Sequence, residues 1–274
     1  MSTKIISIVM AKGGVGKSVT AVNLSAALSM SEKNVLLVDC DPQQGNATLS
    51  LGQTPSKLKF TIANIISSFL DLGQVEGLDK AILSVSDNFD LLPANPKLET
   101  IQNRLIAERS NAGLFEDDTT VPCHGVLKHI LSTIQNNYDF IIIDCPPSVS
   151  MLTINALVAS DSVILPMEAH YESYEALRQI LDVIARIKAN WNPKLVVEGI
   201  LITKYQSRTR LCREVSEYTE KNFGDTVHIF SDTIPLSIKA AELSSVGESI
   251  FTHDPKGEVA SAYSNLAKEV MNNA

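Results

Sequence analysis

The sequence predicts a single α/β domain, a mostly parallel twisted sheet with helices on both faces, and three observations carry that reading. Short apolar runs rich in β-branched residues recur along the chain, the gaps between most of them are long enough for helices, and a glycine-rich loop separates the first run from a helix-like segment. With 274 residues, 45% of them hydrophobic, a sizeable core can be buried. No repeat, low-complexity segment or Pro/Ser-rich linker divides the chain, so residues 1–274 are expected to form one domain.

Taken in order, Lys4 to Met10 (KIISIVM) reads as a strand and Ser18 to Met30 as the helix that follows the loop. Further strand-like runs are Val35–Val38, Phe89–Leu92, Phe140–Ile143, Val163–Leu165 and Leu195–Ile202. They are apolar at nearly every position, which suits strands covered on both faces. Gln53 to Leu131 is expected to be mostly helix, with Phe115–Thr120 (FEDDTT) as exposed loop. Because the sheet begins at residue 4, no N-terminal helix-turn-helix domain is expected.

Charge and composition narrow the function. A formal net charge of −8 argues against coating nucleic acid through bulk charge, while leaving room for a local basic patch. No apolar stretch approaches the ~20 residues that cross a bilayer, and the N-terminus lacks a signal-peptide pattern, so a cytoplasmic protein is expected. Cys40, Cys123, Cys145 and Cys212 stand singly, without a C-x-x-C pair, and read as reduced structural thiols.

The loop is "AKGGVGKS", residues 11–18. The phosphate-loop template G-x-x-x-x-G-K-[ST] asks for glycine at position 11, where this chain has Ala11. The part that carries chemistry is intact. Gly13, Gly14 and Gly16, around Val15, let backbone N–H groups turn toward phosphate, and the helix opening near Lys17 adds its positive end. Lys17 can reach the β- and γ-phosphates, and the Ser18 hydroxyl can ligate Mg²⁺. The fold expected is therefore P-loop NTPase-like.

Three carboxylates are expected to converge on that loop. "VDCDPQ" places Asp39 and Asp41 just after the second strand, and "FIIIDCPPS" places Asp144 at the end of a later one. Ligands of open parallel sheets sit at the carboxyl ends of the strands, where the glycine loop also lies. Acids beside a triphosphate require a cation between them, which implies Mg²⁺.

With these residues in view, "KGGVGKS", "DCDPQ", "IIIDCPPS", "YQSRTRL" and "FSDTIPLSIKAAE" resemble the ParA/Soj partition ATPases, of the deviant Walker A group that also holds MinD and the nitrogenase iron protein. The resemblance runs from about Lys4 to Val270 and is weakest between Gln53 and Leu131. It implies ATP as the nucleotide, bound by Gly13 to Val19, and a homodimer closed by ATP in which Lys12 reaches the phosphates held by the other subunit. In the monomer, Lys12 is then expected to have no work. The resemblance also implies that Lys17 contacts phosphate, that Ser18, Asp39 and Asp144 lie at the metal and that Asp41 handles the attacking water. Thr203 and Pro235 are candidates for the base pocket.

This chain departs from the family in four places. Ser18 and Val19 replace two threonines, DPQQGNAT carries one extra residue, Glu168 and His170 stand for Gln and Glu, and Leu236 and Ser237 for Arg and Asn. Valine cannot supply the second hydroxyl.

The family's members differ in output. Lys204 to Arg213 holds Lys204, Arg208, Arg210 and Arg213 and no acid, four positive charges in ten residues. Arg208 and Lys239 fall where Soj-type proteins carry arginines that bind DNA without sequence preference. Arg208, Arg210 and Lys239 are therefore the candidates for contacts with double-stranded DNA, through phosphates and weakening with salt. A ParB-like centromere-binding protein is the partner the resemblance implies. Membrane insertion is not expected, since the C-terminal "LAKEVMNNA" lacks a basic amphipathic face. An iron–sulfur cluster is not expected either. The alternative reading is a nucleotide-switched regulatory or positioning ATPase that acts on a protein or membrane target and does not use DNA.

Overall fold

The structure, a computed structural model, describes residues 3–43, 45–115 and 121–273. The strands are β1 (Lys4–Ile8), β2 (Val35–Asp39), β3 (Leu83–Ser86), β4 (Phe89–Leu92), β5 (Phe140–Asp144), β6 (Ser162–Glu168) and β7 (Val196–Thr203). The helices are α1 (Lys17–Met30), α2 (Asn46–Ser50), α3 (Ile62–Leu72), α4 (Leu78–Ala81), α5 (Lys97–Phe115), α6 (Val126–Ser132), α7 (Met151–Ala159), α8 (Tyr171–Asn190), α9 (Arg210–Phe223), α10 (Ile238–Val246), α11 (Ile250–His253) and α12 (Glu258–Asn272).

The strands form one sheet in the order β3-β4-β2-β5-β1-β6-β7. All neighbours pair in parallel except β3 and β4, which are antiparallel. The apolar runs become β1, β2, β4, β5, β6 and β7, as expected. β3 is not legible in the sequence, and the segment expected to be mostly helix contains the β3–β4 pair as well as α3 to α6. LSVS is short, polar at alternate positions and exposed over its last three residues, so it offers no apolar run to detect. Of the expected FEDDTT loop, Phe115 closes α5 and the other five positions lie outside the described residues.

Successive side chains of a strand point to opposite faces, and here both faces are apolar. In β2, Leu36 and Val38 join one core while Val35 and Leu37 join the other. In β5, Ile141 and Ile143 are divided from Phe140 and Ile142 in the same way. Residues of α3 and α5 to α9 fill the first core, and residues of α1, α2 and α10 to α12 fill the second. Truncating a fully buried side chain such as Ile142 to alanine is expected to cost about 2–5 kcal/mol.

This frame brings the site together. β5 lies between β2 and β1, with Asp144 in register with Asp39 on one side and with Ile8, the last residue of β1, on the other. The glycine loop leaves β1 there, and the chain crosses to the far side of β1 when β6 follows β5. That reversal opens the crevice in which such sheets hold ligands.

Candidate functional site

The loop from β1 to α1 takes a path that needs glycine. Gly14 (φ +76°) and Gly16 (φ +87°) are left-handed. Gly16 caps α1 without any side-chain acceptor, which leaves first-turn N–H groups free for an anion. Val15 is fully buried and anchors the loop in the core. Thr203, at the end of β7, donates its hydroxyl to the Val15 carbonyl at 2.8 Å, tying the loop to the end of a strand two places away in the sheet. A cavity of about 310 Å³ opens over this loop, lined by Gly13, Gly14, Gly16, Lys17, Ser18 and Val19 together with Asp41, Asn46, Pro147 and Lys204.

The two lysines of the loop have different partners and different burial. Lys17 is buried and its ammonium donates to the Lys12 carbonyl at 2.8 Å. Burial lowers its pKa against the pull of Asp144. The Lys12 side chain is 27% exposed and its ammonium pairs with Glu172, in the first turn of α8, at 3.1 Å. Lys12 is therefore not idle within one chain, because a partly exposed cation takes the nearest carboxylate.

The acids divide as well. Asp39 accepts the Asp41 N–H at 2.9 Å, the Thr48 N–H at 2.8 Å and the Thr48 hydroxyl at 2.7 Å, and so braces the start of α2 beneath the site. Burial pushes its pKa up to about 6 despite those bonds. Asp41, at the cavity wall, is held by the Gln43 N–H and the Asn46 amide, each at 3.0 Å.

Asp144 differs from both. It is fully buried, and neither carboxylate oxygen has a hydrogen-bond partner among the described residues. Burial and the charge of Asp39 drive its pKa well above the carboxylate range. The Ser18 hydroxyl and Lys17 counter this, the hydroxyl from outside hydrogen-bond geometry. Orphaned oxygens beside Ser18 and a phosphate loop fit a magnesium ion. No three His, Cys, Asp or Glu side chains among the described residues could hold a metal by themselves, so such an ion would also need oxygens from its nucleotide. Burial also raises the pKa of Cys40 and pushes that of Cys145 up to about 12, so both stay thiols.

Comparison with known proteins decides the family. A family model described as an AAA domain matches residues 3–197. The sporulation initiation inhibitor protein Soj of Bacillus subtilis is 38% identical over 270 residues, covering 98% of this chain and 99% of that protein. The chromosome-partitioning ATPase Soj of Thermus thermophilus is 36% identical, covering 97% of this chain and 94% of that protein. The chain belongs to the ParA/Soj family of ATPases. A solved structure of cobyrinic acid a,c-diamide synthase from Mycobacterium smegmatis, with bound ATP analog and magnesium, superposes with a TM-score of 0.80 at 29% identity. It covers 99% of this chain and 95% of that one.

Within this ParA/Soj ATPase the remaining candidates fall in several places. Pro235 lines a second cavity of about 360 Å³ with Tyr205, Asp232 and Glu258. Arg208 is exposed on the turn before α9. Arg210 is ion-paired with Glu214 at 2.6 Å, and Lys239 with Asp254 at 2.8 Å. Sequence reasoning missed Glu172 as a partner of Lys12 and Lys204 as a wall of the cavity. It missed Asn46 as the holder of Asp41 too, although Asn46 stands in DPQQGNAT. Gln44, one of the two glutamines there, lies outside the described residues. No described helix is long and apolar enough to cross a membrane.

Proposed function

We propose that this ATPase works as a Mg²⁺-ATP-dependent dimer that binds DNA without sequence preference and partitions a plasmid, chromosome or mobile element with a ParB-like centromere-binding partner. The observation that carries the reading is the different placement of the two loop lysines. Lys17 is buried at the cavity, whereas Lys12 is partly exposed and paired with a carboxylate that is 86% exposed, a pair worth about 0–1 kcal/mol.

Each side chain then has a role. Lys17 exchanges the Lys12 carbonyl for phosphate oxygens, joined by N–H groups from Gly13 to Val19. Ser18 and Asp144, with Asp39 behind them, would hold magnesium, which would neutralise charge on the phosphates. Asp41 orients the attacking water, a task that needs position more than basicity. Lys12 of a second subunit stabilises charge on the transferring phosphoryl group, so that hydrolysis waits for dimerisation. The dimer would act in the cytoplasm, on the nucleoid.

The test is retention on random-sequence duplex with ATP or ADP across a salt series. Retention with ATP that fades as salt rises is expected, and no retention at low salt with ATP would overturn the DNA reading. A switch that captures a protein partner without DNA is favoured by one observation, the ion pairs that already occupy Arg210 and Lys239.

A further inference from the structure

In the sequence Lys204 belongs to the basic stretch that runs to Arg213, but the fold places it at the wall of the cavity over the glycine loop. It follows the last residue of β7, where Thr203 is fastened to the glycine loop through the Val15 carbonyl at 2.8 Å. Its backbone is left-handed, φ +51°, a conformation disfavoured for a residue with a side chain and often found at ligand sites. It lines the same cavity of about 310 Å³ as Lys17 and Ser18.

The partner of Lys204 is a loose one. Its ammonium lies 3.8 Å from Glu168 at the end of β6, too far for a hydrogen bond, and that carboxylate also has the His170 ring 3.3 Å away. The Lys204 side chain is 40% exposed, so little holds it in place. A polyphosphate carries several negative charges and more acceptor oxygens than one shared carboxylate, and it can take the lysine over.

We infer that Lys204 is a third phosphate-binding lysine of this site, acting within its own chain on a nucleoside di- or triphosphate, with Glu168 holding its place until the nucleotide arrives. The inference rests on the reading of this cavity as the nucleotide site. It separates the basic stretch into a cavity-lining residue, Lys204, and one on an exposed turn, Arg208.

The experiment is calorimetric titration of the full chain with Mg-ADP at several salt concentrations. ADP is chosen because its binding does not call on Lys12 of a second subunit. Lys204→Met is expected to raise Kd about 5- to 20-fold and to flatten the dependence of Kd on salt. Lys204→Gly suits the left-handed backbone and is expected to lose affinity equally. Glu168→Gln, which frees the lysine, is expected to tighten binding about two- to fivefold.

Wild-type affinity in either Lys204 variant overturns the inference. So does a Glu168→Gln protein weakened as much as Lys204→Met, since that would make the pair a structural brace. Lys17→Ala separates the two readings. If it too binds Mg-ADP normally, the nucleotide site itself is misplaced. If it loses binding while Lys204→Met keeps it, only the role of Lys204 fails.

Discussion

Lys12 and Glu172 join the glycine loop to the first turn of α8 through a contact of 3.1 Å between ammonium and carboxylate. The Glu172 side chain is 86% exposed, so the pair is screened by water and salt. It can occupy Lys12 in a single chain without locking it there. Lys12→Ala is expected to leave Mg-ADP affinity within about twofold of wild type while lowering ATP turnover about 100-fold or more, the scale of a charge supplied across an interface. A Lys12→Ala protein with full ATPase activity would remove the role across the dimer. Glu172→Gln is expected to change ATP-driven dimerisation by no more than about fivefold, read by sedimentation.

Asp144 gives a prediction in which stability and binding move in opposite directions. Its buried carboxylate has no hydrogen-bond partner among the described residues and costs the nucleotide-free protein stability. Asp144→Asn is expected to raise the melting temperature of that form, by the equivalent of about 1 kcal/mol, and to abolish the added stabilisation that Mg²⁺ gives in the presence of ADP. An Asp144→Asn protein that melts lower and still responds to Mg²⁺ would place the metal elsewhere.

What the sequence revealed and what it hid follow one division. Runs such as FIII and VLLV announce strands because their burial on both faces is written in consecutive residues. The glycine loop is likewise local, since Gly14, Gly16, Lys17 and Ser18 are neighbours in the chain. Contacts between distant segments left no such mark. Glu172 lies 160 residues from Lys12, and Thr203 lies 188 residues from Val15. Thr203 is a base-pocket candidate by sequence, and in the fold its hydroxyl steadies the phosphate loop instead of standing open to solvent. The β3 edge was hidden for another reason: a short exposed strand carries no apolar period.

Asp39 sets a pH dependence whose sign can be stated. Its ordinary pKa of 3.8 is raised to about 6 in the folded, nucleotide-free chain. Between those values the native state holds more protons than the unfolded one, so this contribution to stability is full below about pH 4 and is lost as pH rises through 6. For the same reason, the stabilisation gained from Mg-ADP is expected to shrink as pH falls below about 6, where Asp39 takes up a proton that competes with the metal. Thermal melts with and without Mg-ADP from pH 5 to 7.5 measure both trends. A gain that stays constant across that range would show that Asp39 does not titrate with the metal.

The DNA reading is tested most sharply at Lys239, because its present partner can be removed without touching the lysine. Lys239 lies in the first turn of α10, more than half exposed, with Asp254 2.8 Å from its ammonium. An ion-paired lysine is a poor phosphate ligand until the pair opens, and the exposed pair opens at a cost of no more than about 1 kcal/mol. Asp254→Asn keeps the shape of the side chain and removes its charge. It is expected to strengthen ATP-dependent retention on random duplex about two- to fivefold at low salt, with less effect at high salt. Arg208→Glu, on the exposed turn before α9, is expected to abolish retention while ATP-driven dimerisation persists. If α10 faces a protein partner and no DNA, freeing Lys239 leaves retention on duplex unchanged, and the switch without DNA becomes the better account of the same ion pairs.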